Sequence, residues 1–116
     1  MNPLVKKIDT VFIQVDNLEN SLNWYEKIFN LEIDFREDYY LALKVGETPL
    51  TLIETENVTT NKLDHAILYF YSKNIEDIFD IIKKNTEHYT EIKFEDGVSF
   101  FEFKDNSGNP LGICSY

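Results

Sequence analysis

Ile8-Asp9-Thr10-Val11-Phe12-Ile13 recurs as Leu63-Asp64-His65-Ala66-Ile67-Leu68, and Pro49-Leu50-Thr51-Leu52 recurs as Pro110-Leu111-Gly112-Ile113. Each half of the chain opens on an apolar stretch behind a basic residue and closes on an apolar stretch behind proline. Two copies of one supersecondary unit account for this pattern. The repeat also sets equivalences: Thr10 corresponds to His65, and Thr51 to Gly112.

Working outward from the first copy, residues 7–15 alternate, with Val11, Ile13 and Val15 interleaved among Thr10, Phe12 and Gln14. This period of two predicts a strand with one face on a core. Asp16, with Glu19 three residues on, predicts a capping box at a helix start. Leu18, Leu22, Tyr25 and Phe29 then form one helical stripe. Leu31–Phe35, Tyr39–Val45 and Leu50–Glu54 read as three strands. They are separated by the turns Arg36-Glu37-Asp38 and Gly46-Glu47-Thr48-Pro49.

The polar segment 56–61 reads as a hinge, dividing module 1 (about 1–56) from module 2 (about 63–116). Beyond it the order repeats. A strand over Leu63–Tyr71 precedes a helix with Ile75, Ile78, Phe79 and Ile82 on one stripe. Glu91–Glu95 and Val98–Phe103 flank Asp96-Gly97, a hairpin signal. The turn-rich loop Asp105-Asn106-Ser107-Gly108-Asn109 leads into a last strand, Leu111–Cys114. The expected order is strand–helix–strand–strand–strand, twice.

Composition narrows the partners. A chain of 116 residues fits one domain, and 11 basic against 21 acidic residues give a net charge of −10. Such a chain buries roughly 65 per cent of its unfolded surface, enough for a core without disulfides. Its charge gives colloidal solubility, disfavours nucleic acid and anionic membrane, and would attract a cationic ligand or basic partner. Cys114 is the single cysteine, so no internal disulfide forms. With no stretch approaching the roughly 18 apolar residues of a membrane span, a cytoplasmic protein is expected.

These features resemble the vicinal oxygen chelate superfamily, which includes glyoxalase I, bleomycin-resistance proteins, fosfomycin-resistance thiol transferases and extradiol dioxygenases. The resemblance rests on Ile8-Asp9-Thr10, Asp16-Asn17-Leu18-Glu19, Trp24-Tyr25 and the closing Asp105–Asn109 loop, and it covers nearly the whole chain. It implies an α+β fold in which two βαβββ modules form a curved mixed sheet around a cleft. In the family a divalent metal sits there, held by the first and last strands of each module. The matching positions here are Thr10, Thr51, His65 and Gly112. Such metals favour imidazole and carboxylate ligands, so His65 is the one competent candidate and no metal or other cofactor is expected. Register-shifted Glu54 or Glu102 would be the alternative ligands. No context marks Ser99 or Cys114 as a nucleophile beside His65.

Strand parity then assigns the cleft. Thr10 brings Phe12 with it, Thr51 brings Ile53, His65 brings Ile67 and Tyr69, and Gly112 brings Cys114. An aromatic cleft in an acidic protein, without a ligand set for a metal, predicts a metal-free binding protein for a cationic or aromatic small molecule such as an antibiotic, and the resemblance implies a homodimer. It looks most like the bleomycin-resistance type. The alternatives are a glyoxalase-like lyase or thiol transferase, and a non-catalytic interaction module with a filled cleft.

Overall fold

The computed structural model describes residues 2–116. In module 1, strand β1 (Val11–Val15) buries Ile13 and Val15 and leaves Phe12 55% exposed, as its alternation requires. Helix α1 (Leu18–Phe29) follows, with Leu18, Leu22, Tyr25 and Ile28 on its buried stripe. Its N-cap is Asn17, whose side chain accepts from Asn20 N at 2.9 Å. The expected Asp16–Glu19 capping box does not form. Glu19 pairs with Arg36, and Glu54 of the last strand of module 1 accepts from Leu18 N at 2.8 Å. A carboxylate from a neighbouring strand thus satisfies a helix N-terminus that was expected to cap itself. Asn30 ends the helix at φ 52°, the left-handed conformation asparagine tolerates.

Strands β2 (Ile33–Arg36), β3 (Tyr40–Leu43) and β4 (Leu50–Glu54) complete a sheet ordered β1-β4-β3-β2. The β1–β4 pair is parallel, with Phe12 opposite Thr51, and β3 runs antiparallel to β4 with Ala42 opposite Thr51.

Module 2 repeats the plan. Strand β5 is restricted to Tyr69–Tyr71, shorter than the Leu63–Tyr71 its sequence predicts. The bonds Ile67 N to Pro110 O and Gly112 N to Leu68 O carry its pairing slightly further back. A 3₁₀ turn at Thr60–Lys62 then redirects the chain, and His65 lies exposed outside any strand. Helix α2 (Ile75–Lys83) buries Phe79 and Ile82. Strands β6 (Lys93–Glu95), β7 (Val98–Lys104) and β8 (Pro110–Ser115) give the order β5-β8-β7-β6. Asp96 and Gly97 turn the β6–β7 hairpin with φ of 52° and 82°, the paired positive values such a two-residue turn demands. No helix among the described residues is long and apolar enough to cross a membrane.

One continuous core joins the modules, from Ile13, Tyr25 and Leu52 to Phe101, Leu111 and Ile113. Each such side chain contributes roughly 1.5–3 kcal/mol on burial. Aromatic rings bridge the seam: Phe29 lies 4.7 Å from Phe70, and Trp24 stacks at 6.3 Å on Phe103. The segment expected to be a polar hinge is stitched down at its end. Gln14 Oε1 accepts from Thr59 N at 2.6 Å, and Thr60 Oγ1 donates to Asn109 Oδ1 at 2.5 Å. Asn109 Nδ2 in turn donates to Gln14 O at 2.7 Å.

The Asp105–Asn109 loop fastens the seam from the other side. Tyr25, wholly buried in module 1, donates to Asp105 Oδ2 at 2.6 Å, while Ser107 N and Asn109 N donate to Oδ1 at 2.9 and 2.8 Å. Burial raises the Asp105 carboxyl above the usual carboxylate range, although these donors pull it back. Burial, and then the Asp105 charge, raise the Tyr25 hydroxyl well above its ordinary value. Among the described residues, no buried side-chain nitrogen or oxygen lacks a partner.

Candidate ligand-binding cleft

The outer face of the module 1 sheet, opposite α1, holds a cleft of about 740 Å³. Thr10, Phe12, Thr51 and Ile53 all line it, because they share one parity on the adjacent strands β1 and β4. A volume in this range suits a drug-sized molecule. Three aromatic residues absent from the sequence-derived set also line it: Phe35, Tyr39 and Tyr40. Tyr40 packs edge-to-face against both others, at 5.9 and 5.1 Å. Antiparallel pairing supplies the missing signal, since Tyr40 lies opposite Ile53 and Phe35 opposite Ala42. Parity counted across the whole sheet finds Phe35 and Tyr40, and Tyr39 enters from the turn before β3; parity counted on the first and last strands finds none of them.

The cleft is charged at its margins. Asp9, Asp34 and Glu47 face it, against Lys7 and Lys44. Lys44 Nζ is also shared with Glu32 at 3.7 Å. The balance inside therefore favours a cation, and the aromatic rings give such a cation a face to sit on. At the floor, Thr10 Oγ1 donates to Pro49 O at 2.9 Å and lies 2.7 Å from Thr51 Oγ1.

The remaining sequence-predicted residues lie elsewhere. His65 lines a separate cavity of about 480 Å³ with His88 and Glu102, and its Nδ1 lies 3.1 Å from Ala66 O. Ile67 packs against the core rather than lining the cleft, since the chain before β5 departs from regular strand geometry. Tyr69, Gly112 and Cys114 share the outer face of module 2, with Tyr69 opposite Gly112 and Tyr71 opposite Cys114. The Tyr69 ring covers Gly112 so closely that a Cβ there would run into it. Its hydroxyl donates to the Glu102 carboxylate, and burial together with that bond raises its pKa.

Two similar modules sharing one core, each with an open outer sheet face, define an α+β protein built around small-molecule-sized clefts. Over residues 7–113 the chain matches the Glyoxalase/Bleomycin resistance protein/Dioxygenase superfamily, and it belongs to that family. No curated protein matches it in sequence. Its fold is similar to that of a bleomycin resistance determinant encoded on the transposon Tn5, at 12% identity and a TM-score of 0.75, covering 95% of this chain and 98% of that one. A bleomycin-binding protein solved in complex with bleomycin gives 11% identity and 0.75, covering 97% and 99%. The fosfomycin resistance protein FosX of Listeria monocytogenes gives 12% and 0.80, covering 97% and 95%.

The side chains at the four positions where the family holds its metal do not fit a divalent ion. Thr10 and Thr51 offer only neutral hydroxyl oxygens, which are weak ligands, Gly112 has no side chain and lies under a ring, and His65 faces another cavity. Glu54 and Glu102 are engaged by Leu18 N and the Tyr69 hydroxyl. Among the described residues, no three His, Cys, Asp or Glu side chains converge as a metal site would require.

Proposed function

We propose that this chain is a metal-free binding protein that sequesters a cationic, aromatic small molecule in the module 1 cleft. The observation that carries the reading is the cleft itself: about 740 Å³, walled by Phe12, Phe35, Tyr39 and Tyr40, with three carboxylates against two lysines. Rings and carboxylates together favour a planar cation by stacking, cation–π attraction and charge. The similar bleomycin-binding folds make an antibiotic a reasonable ligand class to test.

We further propose that two copies pair. The outer faces of both modules leave aromatic residues open, among them Phe12, Phe35, Tyr69 and Tyr71. A second copy would cover this surface and bring a module 2 face over each module 1 cleft.

A thermal-shift screen against planar cationic and glycopeptide antibiotics, with elemental analysis of the same untagged protein, tests the function. Expected are compounds that raise the melting temperature by mass action, and less than stoichiometric Zn, Ni, Mn or Fe. One tightly held metal per chain, with no stabilising compound, would contradict it.

A further inference from the structure

Proton counting at the floor of the cleft sharpens the ligand's chemistry. Thr10 Oγ1 touches two groups, Pro49 O and Thr51 Oγ1. A carbonyl only accepts, so the single Thr10 proton goes to Pro49 O, which also accepts from Val11 N at 3.1 Å. Thr51 must therefore donate to Thr10. The relay runs one way, from Thr51 to Thr10 to Pro49 O, and it uses both hydroxyl protons. What it leaves on these two cleft-lining hydroxyls is lone pairs and no protons: two on Thr51 and one on Thr10. Thr51 is only 4% exposed, and strands on both sides hold it in place, Phe12 and Ala42 lying opposite it.

We infer that Thr51 is a specificity-determining residue whose hydroxyl oxygen accepts a hydrogen bond from the ligand, so that the cleft selects an N–H-bearing cation, a primary or secondary ammonium, over a quaternary one. The inference rests on the proposed binding role and adds the ligand's hydrogen-bonding sense. Stacking and charge alone would not give this preference. Aromatic surroundings accept quaternary ammonium readily, and a trimethylammonium gives up less hydration on entering them. An acceptor fixed at the floor reverses the order, because the ammonium exchanges its water for Thr51 and a trimethylammonium cannot.

The test uses a matched pair of probes, 1-naphthylmethylammonium and its N,N,N-trimethyl derivative, titrated calorimetrically into the full chain. They share ring and charge and differ in donors. The primary ammonium is expected to bind wild type about tenfold tighter, the range of one charge-assisted hydrogen bond. Thr51→Val should abolish that margin by weakening the primary ammonium alone, and Thr51→Ser, which keeps the hydroxyl, should preserve it. Should Thr51→Val fail to fold, Thr51→Ala takes its place with the same expectation, because the carboxylates of Asp9, Asp34 and Glu47 also accept from an ammonium and only loss of the Thr51 hydroxyl isolates its share. Equal binding of both probes to wild type, or equal losses in Thr51→Val, would overturn the acceptor role while leaving the cleft as the binding site. Binding of neither probe would overturn the cation-binding reading, and this inference with it.

Discussion

The ring of Tyr69 lies against the backbone of Gly112, in the space a side chain at that position would occupy. The two residues are register partners on the parallel strands β5 and β8, so the contact is set by the sheet. The absence of a ligand side chain at 112 and the presence of an aromatic ring at 69 are thus one packing solution.

Gly112→Ala is expected to destabilise the protein by about 1–3 kcal/mol, the usual cost of forcing an extra methyl into a filled site. In a Tyr69→Ala background the same change should cost little, giving a coupling energy in a double-mutant cycle. Urea denaturation of the four proteins checks this. Additive losses would mean that the Tyr69 ring is not the source of the cost at 112.

The burial of Asp105, which outweighs the lowering effect of its bond from Tyr25, predicts a pH-dependent stability. Asp105 has a folded-state pKa above its unfolded value, so the folded chain holds the proton more tightly. Its contribution is therefore fully present below the unfolded carboxyl pKa and is lost as pH rises through the higher, folded value. Asp105→Asn should flatten stability against pH just above the usual carboxylate range. At neutral pH it should cost about 1–3 kcal/mol, because Asn109 Nδ2 and Tyr25 lose a carboxylate acceptor. Chemical denaturation between pH 4 and pH 7, a range that starts where free carboxyls titrate (about 4), would show it. A slope unchanged by the substitution would remove Asp105 as its source.

The proposed pairing of two copies rests on the open aromatic faces. Light scattering at micromolar concentration is expected to give twice the chain mass, and Tyr71→Asp, which places a charge on an exposed ring of the module 2 face, should shift it toward the monomer. A monomer throughout would contradict pairing.

Where the chain's own periodicity is strong, the structure was legible in advance. Leu50–Glu54 is a strand with the expected bounds, and Asp96-Gly97 turns the expected hairpin. Thr10 and Thr51, matched to the family's metal positions by the resemblance, bring Phe12 and Ile53 with them by parity, and all four line one cavity. The rest depended on distant partners. Asn17 caps α1 while Asp16 accepts from Ser107 Oγ at 3.0 Å, a residue far along the chain. The polar stretch before module 2 looked free because its anchors, Gln14 and Asn109, lie 45 to 49 residues away. His65 and Ile67 were assigned by extending a strand back to Leu63, whereas residues 63–68 are irregular and the strand begins at Tyr69. Phe35 and Tyr40 escaped because finding them needs the pairing of β2 and β3 as well as the repeat, and Tyr39 because it lies in the turn before β3.

The measurement bearing most directly on the binding role is a calorimetric titration of the strongest stabilising cation into wild type and Phe12→Ala. Phe12 is more than half exposed on the cleft wall, and Ile13 and Val15 carry the core side of its strand, so the variant should fold normally. Wild type is expected to take up the compound saturably. Phe12→Ala should bind it more weakly by about 1–2 kcal/mol, roughly 5- to 30-fold, the worth of a ring stacked on a cation. Equal affinity in a folded Phe12→Ala protein would place the ligand outside this cleft and contradict the account.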